Sequence, residues 1–168
     1  MKKRLLTVAV MALMLVMSFA MTASAGPVAD TLGALGPGPH SVGVDLYHAT
    51  LDQLSMGDPA IDSPASVTVA SGVATMTLGV SPMTFGEYTG YLEKLEYYDG
   101  GVYTDEDVVV VDYDLDEVPD AFIFPITDET AITTGGGAVI GAWQKVQVTV
   151  KVEGSSMPVS QARLKIMF

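Results

Sequence analysis

The chain has no cysteine among its 168 residues. Disulfides, thiolate metal ligands, thiol nucleophiles and cysteine redox chemistry are therefore excluded. An exported chain without disulfides has to be held together by the packing of its core. The length and the 49% of hydrophobic residues are sufficient for one domain with a sizeable core.

Basic residues are scarce, with 8 Lys and Arg against 20 Asp and Glu. Three of the eight, Lys2, Lys3 and Arg4, lie in an N-terminal segment that we predict to be removed, which leaves a formal charge of −15. A surface of this sign repels nucleic acid and anionic membranes. We therefore expect no nucleic-acid partner, whereas metal ions and cationic partners are compatible with the chain.

Catalytic signatures are also missing. The chain has two histidines, His40 and His48, and it has no nucleophile motif, phosphate-binding loop or histidine–carboxylate spacing. The two histidines stand at opposite ends of one predicted strand, about 26 Å apart at the usual strand rise, so they cannot share a metal within one subunit. The sequence predicts a protein that is not an enzyme.

The N-terminus carries the three parts of a secretory signal peptide: basic residues at 2–4, an apolar run from Leu5 to Met21, and the small-residue ending Ala23-Ser24-Ala25. The alternative, an uncleaved membrane anchor, needs about 20 apolar residues, and this run is shorter. We predict a signal peptide at 1–25, a flexible Gly- and Pro-rich leader at 26–39 and one domain at 40–168. We expect a secreted, extracellular or cell-surface protein with no membrane span after cleavage.

Alternating apolar and polar residues predict strands throughout this domain. A hairpin is indicated by Val67–Val69 and Ala74–Leu78 on either side of Ser71-Gly72. The four valines of Val108–Val111 predict a strand that is covered on both sides. The other main candidates are His40–Ala49, Ala121–Ile126, Lys145–Glu153 and a final strand with Leu164, Ile166 and Phe168 on one face.

Residues 50–61 are too short and too rich in turn residues for a long helix, so a single helical turn on a loop is expected there. The whole chain then has about eight short strands, turn signals between them and no convincing helix. This pattern predicts an all-β fold, an immunoglobulin-like antiparallel β-sandwich. A closed barrel is the main alternative.

Three stretches, taken in order, resemble the NEAT (near-transporter) domain family. They run from Tyr47-His48-Ala49-Thr50 through Leu54-Ser55-Met56 to the hairpin with Gly72, from Pro82 through Leu92, and over Val146–Val152 with Gln161–Ile166. The resemblance covers most of the predicted mature chain and is closest to a subgroup common in exported clostridial-type proteins. It implies an immunoglobulin-like sandwich with a short helical lip, on the surface of Gram-positive bacteria, that binds haem or haemoglobin in iron acquisition.

The resemblance also implies where a ligand would lie. In the family, haem lies between the helical lip and the last hairpin, and a serine of the lip contacts a propionate; Ser55 stands at that position. The iron ligand in the family is a tyrosine of a Tyr-x-x-x-Tyr motif. The corresponding positions here are Ser156 and Ser160, so phenolate ligation by that motif is excluded.

Two pairs of residues are further candidates for ligand binding. Met56 and Met157 flank the expected pocket, and a thioether can ligate haem iron; the alternative is that both fill apolar space. Tyr88 and Tyr91 offer rings that can stack on a flat ligand, or an oxygen ligand. A spacing of three places these tyrosines on opposite faces of a strand, and the alternative is one core and one surface tyrosine.

An acidic stretch runs from Asp112 to Asp120. Asp112, Asp114 and Asp116 alternate, so an extended chain would place them on one face, and carboxylate oxygens suit Ca²⁺. The alternative is a solvated acidic loop.

The sequence therefore predicts a secreted or cell-surface binding module for haem or a related tetrapyrrole. The alternative function is a structural or adhesive β-sandwich that binds a host or cell-surface protein or a glycan. A third hypothesis is a Ca²⁺-stabilised extracellular module that uses the acidic stretch.

Overall fold

Twelve strands, one α-helix and one 3-10 turn form the regular structure of residues 26–168, the part of the chain that the computed structural model describes. The predicted signal peptide lies outside these residues. Helix α1 spans Pro27–Gly33, and the 3-10 turn spans Asp58–Ala60. The strands are β1 (Pro39–His48), β2 (Ala65–Ala70), β3 (Val73–Gly79), β4 (Met83–Phe85), β5 (Tyr88–Asp99), β6 (Val102–Thr104), β7 (Val109–Val111), β8 (Ala121–Pro125), β9 (Thr130–Thr133), β10 (Val139–Val152), β11 (Ser155–Ser156) and β12 (Ser160–Met167).

Strand β1 connects two antiparallel layers. Its first residues, Pro39 to Val42, pair with β2, and its later residues, Gly43 to His48, pair with β12. One layer continues in the order β1-β2-β3-β8-β7, and the other in the order β1-β12-β10-β5-β4. The short strand β6 pairs with β5, and β9 and β11 pair with β10. This architecture confirms the predicted all-β, immunoglobulin-like sandwich.

The β2–β3 hairpin forms as its turn residues predict. Ser71 and Gly72 have positive φ angles of 53° and 79°, which is the backbone geometry that matches the twist of two paired strands. The turn places Val67 opposite Met76. Both side chains are 0% exposed, and a slip of one residue would turn them towards solvent.

One cluster of apolar side chains fills the space between the layers. Its largest members come from both layers, with Met76, Leu78, Phe122 and Phe124 on one side and Leu95, Tyr97, Leu164 and Ile166 on the other. Tyr97 and Phe124 stack across the core with ring centroids 6.3 Å apart. Each fully buried side chain of this size contributes about 1.5–3 kcal/mol, and this packing holds a chain that has no disulfides.

Among residues 26–168, a single polar side chain belongs to the fully buried set. Gln144 is 0% exposed. Its Oε1 accepts from the Thr127 N–H at 2.8 Å, and its Nε2 donates to the carbonyls of Tyr98 and Lys145 at 3.1 and 3.0 Å. Because both ends of the amide are paired, its burial leaves no side-chain polar atom without a partner.

The segment predicted as a flexible leader, residues 26–39, contains helix α1 instead. Val28, Ala29 and Leu32 are 0, 6 and 2% exposed, and their spacing places them on one face of the helix. This face packs against β10, β2 and β3. The prediction was wrong because glycine and proline dominate the composition around a short apolar face. No helix among the described residues is long and apolar enough to cross a membrane.

The valine run was also interpreted incorrectly. Strand β7 (Val109–Val111) is the last strand of its layer, and Val110 is 54% exposed. A continuous apolar run does not by itself distinguish a central strand from an edge strand. The strands outnumber the predicted eight because five of them have only two to four residues.

Candidate functional site

The segment that leaves β1 folds back along the end of that strand, and we call residues 49–57 the lip. The His48 N–H donates to the Gln53 carbonyl at 2.9 Å, and the Ser55 N–H donates to the Leu46 carbonyl at 2.7 Å. These bonds continue the antiparallel pattern of β1 into the lip. The position of the lip is therefore fixed by backbone pairing.

The helical turn predicted within residues 50–61 lies at the far end of the lip. It spans Asp58–Ala60, so it follows Ser55 and Met56 and does not carry them. The carboxylate of its first residue, Asp58, accepts a hydrogen bond from the Leu46 N–H of β1 at 2.6 Å. The lip is thus tied to β1 at both ends.

Arg163 of β12 holds the lip from the outer face of the sheet. Its Nε donates to the His48 carbonyl at 3.1 Å, and its Nη2 donates to the Leu51 carbonyl at 3.0 Å. The guanidinium stacks over the Trp143 ring, 4.4 Å from the centroid. A planar group with several donors can bind two carbonyls at once. Sequence reasoning missed this residue, although alternation with Leu164 places it on the outer face.

An open cleft of about 620 Å³ lies between the lip and the start of β12. One side is formed by residues 48–50 and 53–56, and the other by Ser160 and Gln161. The volume falls within the range of about 300–1,000 Å³ that is usual for small-molecule sites. The cleft lies where the family resemblance places a ligand.

Exposed apolar side chains lie in the lining of the cleft and next to it in sequence. Leu54 and Met56 line the cleft and are 53 and 72% exposed. Leu51 of the lip is 50% exposed, and Met157 and Val159, which precede the lining residue Ser160, are 49 and 53% exposed. A cluster of exposed apolar side chains around a concave and partly polar surface is typical of a binding site. The composition suits a ligand with a broad apolar face.

Two polar groups at the cleft have defined hydrogen-bonding states. The Ser55 Oγ accepts from the Gly57 N–H at 3.2 Å, which leaves its hydroxyl hydrogen free to donate. The His48 Nδ1 accepts from the N–H groups of Thr50 and Leu51, at 3.2 and 3.3 Å. The neutral ring therefore carries its proton on Nε2 and has no free lone pair for a metal. Both side chains are suited to bind a carboxylate.

The two candidate methionines differ in their relation to the cleft. Met56 lines it. Met157 lies in the turn between β11 and β12, where its N–H donates to the Val150 carbonyl at 2.7 Å. It precedes the lining residue Ser160 by three positions and does not line the cleft. Of the serines that replace the family tyrosines, Ser160 lines the cleft, and Ser156 donates to Glu93. No tyrosine lines the cleft among the described residues.

Tyr88 and Tyr91 lie on β5, which is separated from β12 by β10. Buried Gly90 marks the inner face of β5, so alternation places Tyr88 towards the inner side and Tyr91 on the outer face. Tyr88 is 61% exposed, and the Tyr91 hydroxyl raises the pKa of Lys151 by hydrogen bonding. The structure brings neither ring into the lining of the cleft.

Carboxylate oxygens of Asp112, Asp114 and Asp116 lie within 4.8 Å of one another. They meet because the loop coils around Asp112, whose carboxylate accepts hydrogen bonds from the N–H groups of Leu115 and Glu117 at 2.6 and 2.9 Å. The extended chain that was predicted for these residues is therefore wrong. Lost solvation, followed by the neighbouring Asp116 carboxylate, raises the pKa of Asp114. The hydrogen bonds from the loop backbone therefore account for the position of the Asp112 carboxylate.

Basic and aromatic residues gather on the outer face of β1, β12, β10 and β5, a feature that sequence reasoning did not single out. We call this the cation–aromatic face; it consists of Tyr47, Tyr98, Trp143, Lys145, Arg163 and Lys165. Lys145 lies 4.4 Å from the Tyr98 centroid, and Lys165 lies 5.4 Å from the Tyr47 centroid. The ion pairs found within residues 26–168 involve the two other lysines of this part of the chain.

No protein-family model matches this chain, and no curated protein matches it. Solved structures do match. The NEAT5 domain of IsdX2, a B. anthracis hemophore in complex with heme, is similar with a TM-score of 0.56 at 16% identity, over 78% of this chain and 96% of that chain. A point mutant of that domain, also in complex with heme, has a TM-score of 0.57 at 16% identity, over 78% and 95% of the two chains. At this identity the likeness shows a NEAT-like fold.

Proposed function

We propose that this protein is a secreted or cell-surface module that binds haem, or a related tetrapyrrole, in the cleft between the lip and β12 and serves iron acquisition. The observation that carries the proposal is the open cleft of about 620 Å³ with Leu54 and Met56 exposed in its lining. The two solved structures of this fold described above were determined in complex with heme. The serines at positions 156 and 160 are consistent with a subgroup of the family that lacks the tyrosine motif.

The side chains of the cleft fit the two chemical parts of such a ligand. Leu54 and Met56 in the lining provide apolar contact for a flat macrocycle. The Ser55 hydroxyl and the His48 Nε2–H provide donors for propionate carboxylates. Arg163 places a positive charge behind the lip, which offsets locally the acidic character of the chain.

Met56 is the candidate iron ligand within the cleft, and Met157, which lies close to the lining residue Ser160 in sequence, is the second candidate. When bound, haem supplies an iron centre that can accept an axial ligand from the protein. A thioether is neutral, so it does not offset the additional positive charge of ferric iron as a phenolate does. We therefore expect ferrous haem to bind more tightly than ferric haem.

Titration of the purified protein with haemin, followed through the Soret band, tests the proposal. The titration is done in air and again under a reductant, for the wild type, Met56→Ala and Met157→Ala. Met56→Leu is the matched control, because leucine keeps the apolar volume and removes the sulfur. If Met56 ligates iron, both Met56 variants lose the ferrous spectrum of the wild type, with an affinity decrease of about tenfold, or 1.4 kcal/mol.

The outcomes separate the parts of the proposal. Unchanged spectra and affinities in all three variants would remove the methionine ligand and leave haem binding in place. Loss of affinity in Met56→Ala but not in Met56→Leu would show that the side chain packs against the macrocycle and does not ligate. No Soret shift in the wild type, in either oxidation state, would remove haem binding altogether.

The cation–aromatic face favours the second candidate function, an adhesive module for an anionic glycan. Three of the basic side chains lie on this face over aromatic rings and outside the ion pairs of the described residues. Aromatic rings can stack on sugar rings, and the cations would pair with carboxylate groups. Retention on an immobilised polyuronate that is lost in Lys145→Ala/Lys165→Ala, and is weakened by salt, would support this function; equal retention of the double variant would exclude it.

A further inference from the structure

Glu129 connects the start of helix α1 to a distant part of the chain. Its Oε2 accepts a hydrogen bond from the Val28 N–H at 2.8 Å, across 101 residues of sequence. Gly26, the residue before the helix, makes no side-chain cap of its own. The Glu129 carboxylate therefore takes the place of the cap.

Gly26 approaches this carboxylate very closely. A Cβ built on Gly26 would lie 2.9 Å from the Glu129 Cδ and still closer to its Oε1. No residue other than glycine fits there unless Glu129 moves. Because a backbone nitrogen lies about 2.5 Å from a Cβ position, the nitrogen of Gly26 is within about 5 Å of Oε1.

No cation within the described residues pairs with Glu129, since their ion pairs involve other carboxylates. Burial, with a smaller contribution from the charge of Asp30 on α1, raises the pKa of Glu129 to about 7, although the hydrogen bond from the Val28 N–H opposes the rise. Of the strands that pack on α1, β2 and β3 carry no charged residue, and the two lysines of β10, Lys145 and Lys151, lie over the Tyr98 ring and against Glu93. As long as residue 26 is joined to residue 25 by a peptide bond, its nitrogen is neutral and cannot serve as a counterion.

We propose that cleavage after Ala25 creates an ion pair between the new α-ammonium group of Gly26 and Glu129, and that this pair holds α1 against β10, β2 and β3. The proposal rests on the predicted signal peptide and is independent of the cleft. Hydrolysis of the Ala25–Gly26 bond consumes one water, releases Ala25 as a carboxylate and leaves an amino group on Gly26. That amino group takes up a proton at neutral pH, because its ordinary pKa is about 7.7–8.0.

The two states of the N-terminus differ in how stability depends on pH. Without the ammonium, Glu129 has a folded pKa above its unfolded value, so the folded state holds the extra proton and stability falls as pH rises from about 4.5 to 7. With the ammonium, the carboxylate remains ionised in the folded state, and this loss disappears. The ion pair raises the pKa of the amino group in the folded state. The contribution of the amino group to stability is therefore present below about pH 8 and is lost as pH rises through the folded pKa.

The test moves the ammonium by one residue. The full chain is exported and processed, and a second full chain carries one additional glycine between Ala25 and Gly26, which shifts the N-terminus by about 3.8 Å. Both are also made with Glu129→Gln, which keeps an acceptor for the Val28 N–H. Urea denaturation at pH 5 and pH 7 gives the unfolding constant of all four proteins, and mass measurement confirms each N-terminus.

With Glu129 present, we expect the insertion to raise the unfolding constant at pH 7 by about tenfold and to introduce a fall in stability from pH 5 to pH 7. With Glu129→Gln, we expect the insertion to have little effect at either pH. An equal effect of the insertion in both backgrounds would overturn the proposal, and so would an N-terminus other than Gly26 on the processed protein.

A second measurement on the wild type does not depend on the folding of any variant. The rate at which the α-amino group of Gly26 is acylated is measured against pH in folded and in urea-unfolded protein. The pair requires a higher amino pKa in the folded protein than in the unfolded protein. Equal values in the two states would show that no pair forms.

Discussion

Replacing Arg163 by alanine should release the lip from the sheet. The guanidinium donates to the His48 carbonyl at the end of β1, at 3.1 Å, and to the Leu51 carbonyl of the lip, at 3.0 Å, and it stacks 4.4 Å from the Trp143 centroid. Bonds from a charged donor contribute about 1.5–3 kcal/mol each when buried, and less for a half-exposed side chain such as this one. With a cation–π contribution of about 0.5–1 kcal/mol, we expect a loss of about 2 kcal/mol in the stability of the lip.

Amide hydrogen exchange reports this loss where it occurs. The relevant amides are those of His48 and Ser55, whose hydrogen bonds to the Gln53 and Leu46 carbonyls join the lip to β1. A loss of about 2 kcal/mol corresponds to about 30-fold faster exchange if these amides exchange by local opening. Amides of the β2–β3 hairpin, on the other layer, should change much less.

Two control variants separate the effect of the two guanidinium hydrogen bonds from the effect of the positive charge. Arg163→Lys keeps a cation over Trp143 but cannot reach both carbonyls, so we expect most of the loss to remain. Lys165→Ala removes a cation of the same face that makes no hydrogen bond to the lip, and lip exchange should stay at the wild-type rate. Wild-type exchange of the His48 and Ser55 amides in Arg163→Ala would refute this reasoning.

Three further predictions concern the rest of the fold. Gln144→Leu should lower the free energy of unfolding by about 2–4 kcal/mol, measured by urea denaturation, because three backbone groups each lose a hydrogen bond, although the Tyr98 carbonyl keeps the Thr127 hydroxyl. Gln147→Leu, which breaks one side-chain bond, should cost less than about 1 kcal/mol. Gly141→Ala should destabilise the protein strongly and lower Tm, since its Cβ would overlap the Ile166 carbonyl oxygen; an unchanged Tm would contradict this close packing. Ca²⁺ should raise Tm no more than Na⁺ of equal ionic strength, because the Asp112 carboxylate already accepts hydrogen bonds from the backbone of its own loop. A rise in Tm that is specific to Ca²⁺ would establish a calcium site there.

Local sequence patterns were sufficient where a structure depends on neighbouring residues. The turn at Ser71-Gly72 and the alternation of the last strands predicted the corresponding hairpins, and together they predicted the sandwich. The same patterns failed for Val108–Val111, because edge position depends on the strands that lie on either side in space. Composition failed for α1, where three buried residues are surrounded by glycine and proline.

The sequence also predicted one part of the candidate site and missed another. The resemblance indicated the region of the cleft and the position of Ser55, and the structure places Ser55 and Met56 in its lining. It did not indicate Arg163, whose contacts to the lip span more than 100 residues of sequence. The carboxylate of Glu129 on the Val28 N–H is of the same long-range kind. Such contacts depend on the packing of distant segments, which periodicity does not encode.

The central claim is that the cleft between the lip and β12 binds a tetrapyrrole, and mapping a diamagnetic one onto the protein tests it most directly. The isotope-labelled protein is titrated with zinc protoporphyrin, and the backbone amide shifts are followed by NMR. The account predicts saturable shifts confined to residues 48–57 and 155–161, on the two sides of the cleft. Shifts centred on the cation–aromatic face, or no saturable shifts at all, would contradict it.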